Sequence, residues 1–259
     1  MKKNKNKNPY LSVILPSFNE LDNIKKEVLQ SVYKYLSEQS YDWELVLSDD
    51  GSSDGTLEEL EKFAASHDRT IVVKNAHRGK APTVQTGMFK AQGDLRLFAD
   101  FDQATPIEEV EKLLPFVKRG YDVIIGSREI EGSKREQEPF HRHLMGKVFN
   151  IFVQLFAIQN IHDTQCGFKL FTEKAVKTLF PLLYIYGPNR EVNKKAFTGA
   201  FDVELLYLAR RKKLRIAEVP VFWKHVKTVR VNPIKDSFIM FFDLLRIRFA
   251  DLTGKYSNQ

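Results

Sequence analysis

The sequence predicts an α/β fold: a doubly wound, mostly parallel sheet with helices on both faces, followed by amphipathic helices toward the carboxy terminus. Three observations predict it. Short apolar runs alternate with helical patterns through the first half of the chain, which makes parallel βαβ units. Acidic clusters sit where two of these runs end, and ligands of open α/β sheets bind beyond the carboxyl ends of the strands. The chain has 259 residues, enough to bury a substantial core.

Leu11–Leu15 reads as the first strand and Glu20–Ser37 as one helix. Trp43–Leu47 is a second strand and Thr56–Ser66 a second helix. Ser53 or Asp54 is placed to cap that helix, and Gly51 and Gly55 permit tight turns before it. Thr70–Lys74 and Leu95–Ala99 are strands three and four, with a helix over Ala81–Gln92 between them. Pro106 suits the first position of a helix running over Ile107–Arg119. Asp122–Gly126 is a fifth strand.

The pattern then changes. Glu129–His143 is polar and reads as a mobile loop. Leu144–Ile161 carries Met145, Val148, Phe149, Phe152, Val153 and Phe156 on one helical face, suited either to the core or to a membrane interface. Phe168–Phe171 is a short strand, Glu173–Phe180 and Ala200–Arg211 are helices, and Leu214–Val219 is a strand. Ser237–Leu252 is a basic amphipathic helix with Phe238, Phe241, Phe242, Leu245 and Phe249 on one side. It too suits either its own core or a headgroup layer. The expected organisation is a basic tail over residues 1–10, a catalytic-type domain over 11–225 and a packing or membrane-associating helix over 226–259.

The formal charge of +7 favours anionic partners. Lys2, Lys3, Lys5 and Lys7 make a basic amino-terminal tail, and no apolar stretch follows it as a secretory signal would require. No apolar run reaches the roughly 20 residues that span a bilayer. The basic residues come with no nucleic-acid recognition motif, so nucleic acid is not an expected partner. Cys166 is the single cysteine, which excludes an intramolecular disulfide. A cytoplasmic protein lying peripherally on the cytoplasmic face of a membrane is the expectation.

Chemistry concentrates at the strand ends. Asn19 and Glu20 follow the first strand, where they face a base or ribose or simply start the helix. Asp49 or Asp50 can accept a hydrogen bond from a base N–H, with Gly51 and Ser52 allowing close approach. Adjacent carboxylates repel, so this pair asks for a purpose. Gly79-Lys80 opens a helix, where anions are favoured, without the spacing of a phosphate-binding P-loop. Asp100-Phe101-Asp102 follows the fourth strand, and its carboxylates suit Mg²⁺ or Mn²⁺ bridging to a diphosphate.

Pro16-Ser17-Phe18-Asn19-Glu20, the Asp49–Thr56 segment, Asp100-Phe101-Asp102 and Gly126-Ser127-Arg128 together resemble the ordered signatures of family 2 glycosyltransferases with the Rossmann-like GT-A fold. Asp163–Phe171 and Phe201–Leu206 resemble one branch, the polyprenyl-phosphate (dolichyl-phosphate) β-glucosyltransferases. The resemblance runs from about Leu11 to Lys255. It implies a nucleotide pocket from Pro16, Asn19, Glu20, Asp50 and Ser52, with Asp49 beside it and Lys80 near the phosphates. It implies a metal at Asp102, with Asp100 on the metal or the ribose. Asp163, Arg128 and Asp202 are the implied catalytic residues, and Arg128, Gln165 and Lys169 the implied acceptor contacts. The implied reaction moves glucose from a UDP-sugar donor to a polyprenyl phosphate with inversion. GDP-mannose as donor and a hydroxyl as acceptor are the alternatives. Two departures stand out. Eukaryotic members of the branch usually carry an amino-terminal membrane helix, where this chain has lysines. Related mannosyltransferases usually read Asp-Ala-Asp with a Gln two residues on, where Phe101 and Gln103 stand here.

Overall fold

A computed structural model describes residues 8–136, 149–187, 199–226 and 233–256. Among the described residues nine strands run β1 Leu11–Ser17, β2 Trp43–Asp49, β3 Thr70–Lys74, β4 Leu95–Ala99, β5 Val123–Ser127, β6 Lys134–Arg135, β7 Phe168–Thr172, β8 Ile216–Pro220 and β9 Phe222–Trp223. Seven form one sheet in the order β3-β2-β1-β4-β7-β5-β8. All neighbours in it are parallel except β7, which runs antiparallel between β4 and β5. β6 and β9 pair with each other as a separate parallel ribbon.

The sheet is buried on both faces, which is why its strands are continuous apolar runs. Successive side chains alternate between two cores. Ile14, Val46, Phe98, Ile125 and Phe171 face one; Val13, Leu15, Leu47, Leu97 and Leu170 face the other. The first core is covered by α4 (Lys80–Lys90), α7 (Glu173–Leu179) and α8 (Phe201–Arg211). The second lies under α2 (Val28–Ser37), α3 (Thr56–Ser66) and α5 (Val110–Lys118).

The predicted helix over 20–37 is two. A short α1 (Leu21–Lys25) precedes α2, and Glu27 at φ 62° separates them. The two pieces answer different demands. Glu20 and Leu21 donate backbone N–H groups to Thr56 and Asp54, which ties α1 to the turn before α3. Leu29, Val32 and Leu36 of α2 turn into the core. The predicted loop after β5 carries β6 in its described part, pinned because Lys134 N donates to the Val221 carbonyl. Pro106 precedes the single 3₁₀ turn Ile107–Glu109 that leads into α5, one position earlier than expected.

Both amphipathic segments satisfy two surfaces at once. Residues 149–156 form α6: Phe149 and Val153 are buried, whereas Ile151, Leu155 and Phe156 are exposed. In α9 (Pro233–Leu252), Leu244, Ile247 and Ala250 face inward. Phe238, Phe242, Leu245, Phe249 and Leu252 of the same helix face outward. Phe241 joins the two helices, its ring 5.1 Å from Phe152 and 6.1 Å from Phe156. Among the described residues no helix is long and apolar enough to cross a membrane. The lysines of the amino-terminal tail and residues 137–148 of the predicted loop and helix lie outside the described residues.

Candidate active site

The site lies across the carboxyl ends of β1, β2, β4, β5 and the amino end of β7. Its first wall is a set of staples between the exits of β1 and β2. Asn19 takes a positive φ of 55°, which asparagine tolerates better than most residues. Its backbone N–H donates to Ser52 Oγ at 2.9 Å, and its Oδ1 accepts from Ser53 N at 2.9 Å. Asp49 accepts from the Ser52 hydroxyl and N–H and from Ser17 Oγ. Glu20 is buried and accepts from Asn23 Nδ2. Pro16 sits in β1 opposite Ser48. Asp54, rather than Ser53, accepts from the first N–H of α3.

Asp50 explains its place beside Asp49. Its carboxylate accepts from the backbone N–H groups of Arg78 and Gly79 and meets His77 Nδ1 at 2.8 Å. It therefore gathers the loop ahead of α4. His77 lies flat against Phe18, with centroids 4.2 Å apart and planes 11° from parallel. Gly51 has φ 71°, and an added Cβ would come within 3.0 Å of His77 N, so this close crossing of loops needs a glycine. Both aspartates shape the pocket through protein contacts. The purpose of Asp50 comes from a loop 28 residues away in sequence, which a reading of the acidic turn alone missed.

The second group surrounds the end of β4. Asp100 N donates to the Gly167 carbonyl at 2.9 Å, and its side chain pairs with Lys80 Nζ. Asp102 accepts from Ala104 N. Burial and the neighbouring Asp100 charge push the Asp102 carboxyl up to about 6. Burial opposes the Lys80 charge, yet Asp100, Asp202 and Asp102 outweigh it and raise its pKa. Lys169 lies beyond. It is wholly buried, 2.6 Å from Asp202 Oδ1, and donates to the Cys166 carbonyl. Lys80 and Lys169 each place Nζ 5.4 Å from the centre of the Phe98 ring. Burial raises the Asp202 pKa against the pull of both lysines. Lys169 is thus a buried counter-charge for Asp202.

The third group bridges β5 and the segment before β7. Arg128 donates from Nε to Asp163 Oδ2 at 2.7 Å and from Nη2 to Oδ1 at 2.9 Å. Asp163 also accepts from the N–H groups of Arg128, Gln165 and Cys166. Although burial opposes it, Arg128 holds the Asp163 carboxyl down to about 2. The same pairing drives the guanidinium further toward its charged form. Gln165 Nε2 is buried without a protein partner among the described residues, a donor left over at the site. Trp223 of β9 lies between two guanidiniums, 5.4 Å from Arg128 and 5.2 Å from Arg135. Sequence reasoning missed Trp223, Arg135 and His77; aromatic Phe222-Trp223 just after a strand was the available signal.

The acidic pair fits a divalent cation. Asp102 is held short of positive charge, the condition such an ion relieves. Among the described residues no group of three or more His, Cys, Asp or Glu is arranged to hold a metal. Asp100 and Asp102 would supply the protein oxygens, with phosphate oxygens and water completing the shell, as Mg²⁺-type ions commonly do.

Comparisons with known proteins place the chain in a family and its fold among solved structures. Residues 12–180 match the family described as glycosyl transferase family 2. The dolichyl-phosphate beta-glucosyltransferase of Dictyostelium discoideum is 35% identical over 268 residues, covering 96% of this chain and 78% of that protein. Its Saccharomyces cerevisiae counterpart is 33% identical over 268 residues, covering 96% and 77%. Among solved structures, glucosyl-3-phosphoglycerate synthase of Mycobacterium tuberculosis with Mn²⁺, UDP-glucose and phosphoglyceric acid aligns at a TM-score of 0.60 and 17% identity. That alignment covers 93% of this chain and 79% of the other and shows a common fold. Fold and site together define a hexosyltransferase of the GT-A fold. The chain belongs to glycosyltransferase family 2 and is a homologue of the dolichyl-phosphate β-glucosyltransferases.

Proposed function

We propose that the protein transfers glucose from UDP-glucose to a polyprenyl phosphate, with inversion, giving a β-linked lipid-phosphate sugar. The observation that carries the reading is the fold of the Asp163–Phe171 segment. It sets the Arg128–Asp163 clamp on one side and backs Asp100 with Gly167 on the other. A cationic seat for an acceptor phosphate thus stands beside an acidic seat for the donor's end. The near-full-length likeness to dolichyl-phosphate β-glucosyltransferases supports the same acceptor and sugar.

A phosphate acceptor is ionised near neutral pH and needs no strong general base. Asp163, held near 2, is a poor base and a good anchor. Its task is to fix Arg128, whose permanent charge orients an acceptor phosphate toward the sugar. Pro16, Asn19, Glu20, Asp49, Asp50 and Ser52 form the wall for the nucleotide. Lys80, at the start of α4, offers its ammonium to the diphosphate. Mg²⁺ or Mn²⁺ held by Asp100 and Asp102 would neutralise charge that grows on the leaving diphosphate. Asp202 keeps Lys169 paired and adds to the field on Lys80. Gln165, with its spare donor, faces the acceptor side. The outward apolar faces of α6 and α9 give the enzyme a peripheral seat on an anionic membrane, where such an acceptor resides.

Incubation with UDP-[¹⁴C]glucose and a short polyprenyl phosphate in the presence of Mn²⁺ tests the reading. Label should move into the butanol phase, and GDP-[¹⁴C]mannose should give little. Equal transfer from GDP-mannose, or label confined to water-soluble glycan, would overturn it.

A further inference from the structure

Beside the exposed apolar side of α9 lies a cavity of about 370 Å³. Its walls include Tyr184, Phe242, Leu245 and Phe249, and among the described residues Arg246 and Lys255 supply its charged lining. We infer that this groove binds one anionic phospholipid of the bilayer, with an acyl chain against the aromatic walls and the phosphate between Arg246 and Lys255.

The charges select the ligand. The carboxylates of the described part of α9 are turned away from the groove. Asp243 is buried and accepts from Tyr186 and Arg246, and Asp251 is engaged by Tyr207 and Arg211. Asp243 takes one nitrogen of Arg246, Nη1 at 3.2 Å, and the side chain is 67% exposed, so its other donors can meet a ligand at the rim. Lys255 Nζ stands 5.8 Å from the Tyr184 ring centre, at the groove's edge. An apolar slot with two cations at its mouth complements an amphiphile with one anionic head.

The position selects the source. The acceptor phosphate has its own cationic seat at Arg128, so a second pair of cations suits a second phosphate. Phe238 and Leu252, on the same helix as the groove wall, are 65% and 79% exposed, as a side facing acyl chains would be. The wall itself is firmly built. Buried Glu204 accepts from the N–H groups of Tyr184, Ile185 and Tyr186 and from Tyr256 Oη. The inference rests on the proposed membrane seat for the lipid's source.

Lyso-phosphatidylglycerol with chains of six to ten carbons, held below its micelle concentration, is titrated into the full chain by calorimetry. Affinity should rise with chain length, by at most roughly fourfold per methylene. Chain-matched lyso-phosphatidylcholine should bind about tenfold more weakly. The R246Q/K255Q variant should remove that headgroup preference, and Leu245→Trp should weaken both lipids by filling the slot. Glucose transfer to a soluble short polyprenyl phosphate should be unchanged in either variant. Equal affinity for the two headgroups, or no dependence on chain length, overturns the site. So does displacement of the lysolipid by short polyprenyl phosphate at the concentrations that saturate transfer, which would give the groove to the acceptor. Lipid binding that persists in a protein with no transferase activity would sink the proposed reaction and leave this site standing.

Discussion

Arg128 grips both oxygens of Asp163, with Nε and Nη2 at 2.7 and 2.9 Å, and its own backbone N–H adds a third bond at 2.9 Å. The guanidinium is therefore fixed in orientation as well as charge, which a lysine cannot reproduce. Asp163→Asn should cut kcat/KM about 10²-fold by releasing that orientation, and Arg128→Lys should do much the same. The pair also has a pH signature. The carboxyl sits at about 2 in the folded protein and near 3.8 unfolded, so the unfolded state takes up the proton first as pH falls. The pair's contribution, up to about 2.5 kcal/mol, is complete well above pH 4 and is lost as pH falls through 2. Urea midpoints of the wild type and Asp163→Asn should converge between pH 6 and pH 3. A gap that stays constant would remove the pair as its source.

Gly167 makes room for the Asp100 carboxylate. A Cβ built there would lie 2.0 Å from an Asp100 oxygen, and the backbone φ is one that other residues accept. Gly167→Ala should fold, at a cost of about 1–3 kcal/mol for the crowding, but Asp100 must move. Its link to Lys80 and its hold on a cation should both suffer. Mn²⁺ titration followed by UDP binding should show weaker affinity for each, with circular dichroism unchanged. Unaltered Mn²⁺ dependence would show that Asp100 is not held by this contact.

The sheet was legible because burial on both faces writes strands as apolar runs, and its acidic ends followed from the same pattern. Direction was not legible: Phe168–Thr172 has the period of any buried strand, and only the tertiary pairing shows that it enters antiparallel between β4 and β5. β6 and β9 have two residues each, too few for any period to register. Trp223 therefore offered only its place just after a strand, with no sign that it would meet Arg128 and Arg135. The burial of Lys169 was hidden for a different reason. A lysine in a strand usually marks the solvent side, yet its partner Asp202 lies 33 positions later and lets it be wholly buried. Pairings at such range are set by topology, and a linear pattern carries no record of them.

Asp102 sets folding against its proposed hold on a cation. Burial and the Asp100 charge push its carboxyl from 3.8 up to about 6. The folded state then holds a proton that the unfolded state has released, so stability without metal falls as pH rises from about 4 to about 6. Asp102→Asn should remove that penalty and raise stability at pH 7 in chelator, by up to about 3 kcal/mol. At pH 4 variant and wild type should match. Mn²⁺ should stabilise the wild type against heat and leave the variant unmoved. A variant less stable than wild type at pH 7 without metal would show that Asp102 is satisfied by the protein alone.

Lys169 and Asp202 form a buried pair whose two halves can be separated by a mutant cycle. Removing either partner leaves a charge stranded beside Phe98, so Lys169→Met should cost about 3–5 kcal/mol. The double variant K169M/D202L strands neither and should recover most of that loss, because apolar groups often replace a buried pair at little cost. Recovery of fold should not bring recovery of rate. Asp202 also helps to hold the charge on Lys80, the ammonium proposed to meet the diphosphate. Removing it leaves Lys80 to Asp100 and Asp102, with a weaker field at the start of α4. Denaturation midpoints and kcat for the three variants decide the matter. Stability restored with kcat still depressed places the pair in the electrostatics of the site. Stability and kcat restored together would make it a packing device, and a double variant as unstable as the single would show that the charges themselves hold β7 to α8.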